Sequence, residues 1–92
     1  MRKISIIGAG YVGMSLATLL AKQNNIMVFD ISIERVNKIN QRISTVKDSL
    51  IDEHLKDTSL NLCATTKPEE ALLDPEIVII ATPTNYDETQ KF

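Results

Sequence analysis

Residues 1–13 read MRKISIIGAGYVG, and this stretch decides the fold of the 92-residue chain. The apolar run at residues 4–7 predicts a strand, and apolar residues after Gly13 recur at helical spacing. Between them lies the pattern G-x-G-x-x-G, in the strand-to-helix context in which it binds the pyrophosphate of a dinucleotide. We expect Gly8 to allow the tight turn, Gly10 to let the pyrophosphate approach the backbone, and Gly13 to let the helix pack close to the strand.

Ordinary strand-to-helix turns also contain glycines, so the motif alone leaves a purely structural interpretation open. A second signal is Asp30, which ends the next apolar run at residues 26–29. An acidic residue about twenty positions beyond the glycines accepts hydrogen bonds from the adenine-ribose hydroxyls and repels a 2′-phosphate. The alternative is a solvent-exposed aspartate at a strand end. Together the two signals favour NAD over NADP as cofactor.

Strand and helix patterns alternate along the whole chain. We predict strands over residues 4–7, 26–29, 60–64 and 76–81, and helices over 12–22, 33–43 and 48–56. Asn residues at 24 and 25 suit a left-handed cap of the first helix, and Thr66-Lys67-Pro68-Glu69 fits a capping box that opens a brief fourth helix. This order predicts an α/β fold, a Rossmann-like parallel sheet of about four strands with flanking helices. Its carboxyl edge would bring Gly8, Asp30 and Thr82 together.

Composition and charge restrict the possible partners. The net charge is −2, no basic block is present, and only two Phe and two Tyr occur, so neither a nucleic-acid nor a membrane partner is supported. A single cysteine, Cys63, excludes an internal disulfide and favours the cytoplasm. The N-terminal apolar run is too short for a signal peptide, and no stretch approaches the roughly 18 apolar residues of a membrane span.

Four further features have both a functional and a structural interpretation. Arg35 could reach the same ribose as Asp30, or could be a solvated charge on a helix. Thr82-Pro83-Thr84 could contact the central part of the cofactor, or could be an ordinary turn after a strand. Cys63 could be a nucleophile, but it lies in a predicted strand without a base nearby, which favours core packing. His54 has no metal-ligand spacing around it and is predicted to lie on the surface.

With these residues placed, the chain resembles the N-terminal part of the UDP-glucose/GDP-mannose dehydrogenase family. The matching stretches lie at residues 4–17, 28–30 and 35–40, and the most specific one is VIIATPTNYD at residues 78–87. The resemblance implies that the NAD site contains Gly8, Ala9, Gly10, Tyr11, Val12, Gly13, Asp30, Arg35, Thr82, Pro83 and Thr84. One departure concerns residues 44–48, STVKD, where the family usually has a Pro-Ile pair before an acidic residue.

Members of this family are several times longer than the present chain. By resemblance, they oxidise UDP-glucose to UDP-glucuronate with two NAD, using a cysteine nucleophile and other residues that follow position 92. We therefore expect residues 1–92 to be the N-terminal half of an NAD-binding domain, truncated before the substrate and C-terminal domains, and unable to turn over substrate alone.

Two other functions stay open at this point. One is a non-catalytic binding module that associates with itself through an open sheet edge. The other is a different oxidoreductase, of the hydroxyacid or 6-phosphogluconate type, that shares only the glycine motif. Asn85-Tyr86-Asp87 argues against the latter.

Overall fold

The computed structural model describes residues 2–57 and 59–81 of the chain. Its elements are, in chain order, β1 (Lys3–Ile7), α1 (Tyr11–Leu20), β2 (Asn25–Phe29), α2 (Ile33–Asn40), α3 (Ser49–Leu55), β3 (Leu62–Thr65), α4 (Pro68–Ala71) and β4 (Ile77–Ile80). Within the described residues, the strands form one parallel sheet in the order β3-β2-β1-β4. The predicted α/β class, the four strands and the flanking helices are therefore confirmed.

The strand order explains how the helices cover the two faces of the sheet. The chain moves outward from β1 to β2 to β3 and then crosses back to β4, so right-handed crossovers put α1, α2 and α3 on one face and α4 on the other. Ile4 and Ile6 pack in the main core with Met14 of α1. Ser5, which points to the opposite face, donates a hydrogen bond to the carbonyl of Ala71 in α4.

Because α4 has only four residues, it covers only part of the second face. On β3, Leu62 and Ala64 are buried on the first face, whereas Cys63 points to the second face and is exposed. The prediction that Cys63 packs in the core is therefore wrong. The sulfur of Cys63 lies 3.7 Å from the sulfur of Met27.

Two predicted helix ends are also wrong, each for a local reason. Helix α1 ends at Leu20 with Ala21 as a right-handed cap, and neither Asn24 nor Asn25 is left-handed. Asn24 instead donates from Nδ2 to the Leu20 carbonyl. Helix α2 stops at Asn40, since Arg42 adopts a φ of 63°, and Ile43 therefore lies outside it.

The predicted capping box of α4 is wrong, because the N-cap is Lys67 and no described side chain makes a capping hydrogen bond to this helix. The hydroxyl of Thr65, rather than that of Thr66, accepts a hydrogen bond from the Lys67 N–H at 3.0 Å. The same hydroxyl donates to Glu70 Oε1 at 2.5 Å. The helix is brief, as predicted from Asp74-Pro75.

Candidate functional site

The three glycines of the turn between β1 and α1 have different surroundings. Gly8 and Gly13 lie against other backbone atoms, and Gly10 borders open space. Gly8 has a φ of 116°, a conformation that side chains rarely allow, and its N–H donates to the Phe29 carbonyl at 2.8 Å. A Cβ on Gly13 would lie 1.9 Å from the carbonyl oxygen of Gly8, so only glycine lets α1 approach this closely. A Cβ on Gly10 would meet no atom of the described residues within 4 Å. The backbone at Gly10 therefore borders open space.

Helix α1 begins at this open space without a capping side chain. Gly10 is the N-cap, no side chain among residues 2–57 and 59–81 accepts from the first turn, and that turn contains no acidic residue. The N–H groups of Tyr11, Val12 and Gly13 are the ones that an α-helix leaves without intrahelical partners. By contrast, α2 and α3 are capped by the side chains of Ser32 and Asp48. The start of α1 therefore presents free donors and the positive end of the helix dipole, an arrangement that suits an anion.

Asp30 lies directly beside this turn, at the end of β2. Its side chain is buried, with 8% of the residue exposed. Its Oδ2 accepts from the Ala9 N–H and its Oδ1 from the Ser32 N–H, both at 2.9 Å. A carboxylate has about four acceptor positions, so it retains acceptor capacity for further hydroxyl donors. The carboxylate is therefore held in place at the edge where the glycine turn opens.

Arg35 is close to the same carboxylate. Its Nη1 lies 3.4 Å from Asp30 Oδ2, and the guanidinium side chain is partly exposed. The first turn of α2 fixes the position of Arg35, because its N–H donates to Ser32 Oγ at 3.2 Å. The structure thus brings together two residues that the sequence placed five positions apart, an acceptor and a cation at one sheet edge.

Thr82, Pro83 and Thr84 lie outside the described residues. The described chain leads to the same edge, because the Ala81 N–H donates to the carbonyl of Ile7 at 2.8 Å. Ala81 therefore lies next to the end of β1, where the glycine turn begins.

Sequence reasoning missed one residue at this edge. The hydroxyl of Thr45, in the connection between α2 and α3, donates to the Ala9 carbonyl at 2.7 Å. Thr45 is distant from Ala9 in sequence and belongs to no motif. The only indication was the departure at residues 44–48, which pointed to an unusual loop and not to a contact.

The two other chemically reactive candidates, Cys63 and His54, lie on β3 and α3. Partial burial raises the pKa of the Cys63 thiol, which disfavours the nucleophilic thiolate. His54 lies on α3, and among residues 2–57 and 59–81 no group of three or more His, Cys, Asp or Glu side chains could hold a metal ion.

In the same part of the chain, no helix is long and apolar enough to cross a membrane.

A parallel sheet with an uncapped glycine turn after β1 and a buried aspartate after β2 is typical of Rossmann-type dinucleotide-binding proteins. Comparison with known proteins identifies the family. The profile of the UDP-glucose/GDP-mannose dehydrogenase family, NAD binding domain, matches residues 2–92. The chain belongs to this family of NAD-dependent dehydrogenases, and the resemblance noted in the sequence is confirmed.

Individual relatives agree with this assignment. The chain is 48% identical over 85 residues to a UDP-glucose 6-dehydrogenase of Streptococcus pneumoniae, covering 92% of the chain and 22% of that protein. It is 38% identical over 92 residues to a UDP-glucose 6-dehydrogenase of Campylobacter jejuni, covering 98% of the chain and 23% of that protein. The crystal structure of a ternary complex of GDP-mannose dehydrogenase from Pseudomonas aeruginosa matches with a TM-score of 0.84 at 30% identity, covering 97% of the chain and 21% of that structure. The chain thus spans about a fifth of the length of these relatives.

Proposed function

We propose that this chain binds the ADP half of NAD at the carboxyl edge of its sheet. The N–H groups of Tyr11, Val12 and Gly13 would bind the pyrophosphate, with Gly8, Ala9 and Gly10 forming the turn beneath it. Asp30 would accept hydrogen bonds from the adenine-ribose hydroxyls, with Arg35 beside it. Thr82, Pro83 and Thr84 would line the next part of the cofactor. The observation that carries the proposal is the uncapped start of α1 next to a buried carboxylate.

Titration calorimetry of the 92-residue chain with NAD and NADP tests this proposal. We expect NAD to bind at least roughly tenfold more tightly, because Asp30 repels a 2′-phosphate. In Gly10→Ala, the added Cβ would occupy space that the pyrophosphate needs, although it meets nothing within 4 Å in the chain itself. This variant should fold and lose NAD binding. Equal binding of NAD by Gly10→Ala and by the unchanged chain would contradict the proposed site.

We further propose that residues 1–92 form the N-terminal half of the NAD-binding domain of a UDP-glucose 6-dehydrogenase. The support is the 48% identity to the Streptococcus pneumoniae enzyme that has this name. The longer enzyme would oxidise UDP-glucose to UDP-glucuronate in the cytoplasm. Because the resemblance places the nucleophile and its supporting residues beyond position 92, the chain alone should not catalyse this reaction. NADH production from UDP-glucose and NAD by the purified chain would refute this expectation.

A second candidate function is self-association through β4. In the sheet of the described residues, β4 is the outer strand opposite β3, and Ile77, Val78 and Ile80 are 39%, 43% and 72% exposed. An apolar outer strand is a template for pairing with another chain. Sedimentation velocity should then show a concentration-dependent dimer that Ile80→Lys abolishes. The control Leu19→Lys, at an exposed position on α1, should leave it unchanged. A monomer at all concentrations would exclude this function.

A further inference from the structure

Ala9, the residue between the first two glycines, is held on both sides by side chains from other parts of the chain. Its N–H donates to Asp30 Oδ2 at 2.9 Å, and its carbonyl accepts from Thr45 Oγ1 at 2.7 Å. The first contact comes from the end of β2 and the second from the connection between α2 and α3. The turn is therefore fixed by two independent parts of the fold.

The segment that carries Thr45 is itself well ordered by short-range hydrogen bonds. Ser44 Oγ donates to the Val46 carbonyl at 2.7 Å, and the Asp48 N–H donates to the same carbonyl at 3.0 Å. Asp48 then caps α3 by accepting from Leu50 and Ile51. Val46 is partly buried and packs against the core. The hydroxyl of Thr45 is thus presented to Ala9 from a preorganised turn.

The consequence for the neighbouring peptide follows from its planarity. The Ala9 carbonyl and the Gly10 N–H belong to one trans peptide unit, so they point in opposite directions and rotate together. Gly10 permits many backbone conformations, because it has no Cβ and meets no neighbour on that side. A hydrogen bond to the Ala9 carbonyl therefore restricts the orientation of the Gly10 N–H and the entry of the chain into α1.

We propose that Thr45 is a positioning residue for the dinucleotide site: its hydroxyl holds the Ala9–Gly10 peptide in the orientation that leaves the start of α1 open to the pyrophosphate. This inference rests on the proposed function, which places the pyrophosphate of NAD at Gly8–Gly13. Thr45 does not touch the cofactor in this scheme, and it acts through the backbone of the turn. Preorganisation of this kind improves affinity because the turn is ordered before the ligand binds.

The test compares Thr45→Val, which keeps the shape of the side chain, with Thr45→Ser, which keeps the hydroxyl. Titration calorimetry with NAD should show binding about fivefold weaker for Thr45→Val, the loss that one hydrogen bond produces, and within about twofold of the unchanged chain for Thr45→Ser. The control is Ser49→Ala, a change at the first residue of α3 that follows the same connection. It should bind NAD normally.

A second measurement does not require the cofactor. In ¹H–¹⁵N spectra without nucleotide, the Gly10 amide resonance should shift or broaden in Thr45→Val and stay unchanged in Thr45→Ser. A merely structural role would lower the unfolding midpoint of Thr45→Val without a selective effect on NAD or on Gly10. Unchanged NAD affinity in Thr45→Val would overturn the role of Thr45 and would leave the proposed function intact. Absence of NAD binding by the unchanged chain would overturn the proposed function, and with it this role of Thr45.

Discussion

At the scale of single residues, the three glycines of the turn differ in what surrounds them. Replacing Gly13 by Ala would place a Cβ 1.9 Å from the Gly8 carbonyl oxygen. The backbone of α1 or of the Gly8 turn would then have to move. We expect Gly13→Ala to lower the free energy of unfolding by about 2–3 kcal/mol, as overpacking of a close contact does. Gly10→Ala is the matched control and should cost less than about 1 kcal/mol. Urea unfolding measures both, and equal losses would contradict the difference in packing.

The exposed thiol of Cys63 should be slow to react although reagents can reach it. Partial burial raises its pKa in the folded chain, so the thiolate fraction at a given pH is smaller than in the unfolded chain. Because the folded state favours the neutral thiol, this group leaves stability unchanged below the ordinary thiol pKa and reduces it as the pH rises from that value through the raised pKa of the folded chain. Alkylation rates measured against pH should show a higher midpoint in the folded chain than in urea. A folded midpoint at or below the unfolded one would contradict this prediction.

At the scale of elements, the outer side of β3 is occupied by side chains. Asn40, at the end of α2, accepts from the Ala64 N–H at 2.8 Å and donates to the Ala64 carbonyl at 3.1 Å, as a neighbouring strand would. Asn40→Ala should therefore destabilise the chain by about 1–2 kcal/mol and increase its aggregation. Asn37→Ala, at an exposed position of the same helix, is the control. If Asn40→Ala and Asn37→Ala show the same aggregation by light scattering and the same stability in urea, this role of Asn40 is contradicted.

The connection from α3 to β3 depends on Arg42. Its guanidinium donates to the carbonyls of Leu55, Asp57, Leu60 and Leu62, while its own backbone has a φ of 63°. Arg42→Ala should lose about 2–3 kcal/mol of stability, because it removes these charge-assisted bonds, while the cost of the left-handed backbone stays the same as with Arg. Arg42→Gly loses the same bonds but relieves the backbone, so it should be about 1 kcal/mol more stable than Arg42→Ala. The reverse order in urea unfolding would contradict the backbone contribution.

At the scale of the whole molecule, a nucleotide bound at the carboxyl edge would contact the ends of the two central strands, β1 and β2, and the start of α1. Adenosine diphosphate or NAD at a hundredfold excess over its Kd should stabilise the chain by about 2.7 kcal/mol. For a chain of this size, that corresponds to a rise of roughly 10–20 °C in the thermal midpoint. Nicotinamide mononucleotide, which lacks the adenosine half, should produce no comparable rise. Equal stabilisation by the mononucleotide would contradict the assignment of the ADP half to this chain.

The sequence by itself determined the fold class and the position of the glycine turn and Asp30 at one edge of the sheet, because both depend on local signals. Three signals each involve only a few neighbouring residues: the glycine spacing, the alternation of apolar runs, and Asp30 at the end of one run. They predicted the parallel sheet and its binding edge. Tertiary structure decided the rest. Arg42 turned left-handed where the apolar spacing extended a helix, and the short α4 left Cys63 exposed. The hydroxyl of Thr45 reaches the carbonyl of Ala9, 36 positions away in sequence, in a fold in which α3 packs against α1. Such contacts join residues distant in sequence, and no local periodicity encodes them.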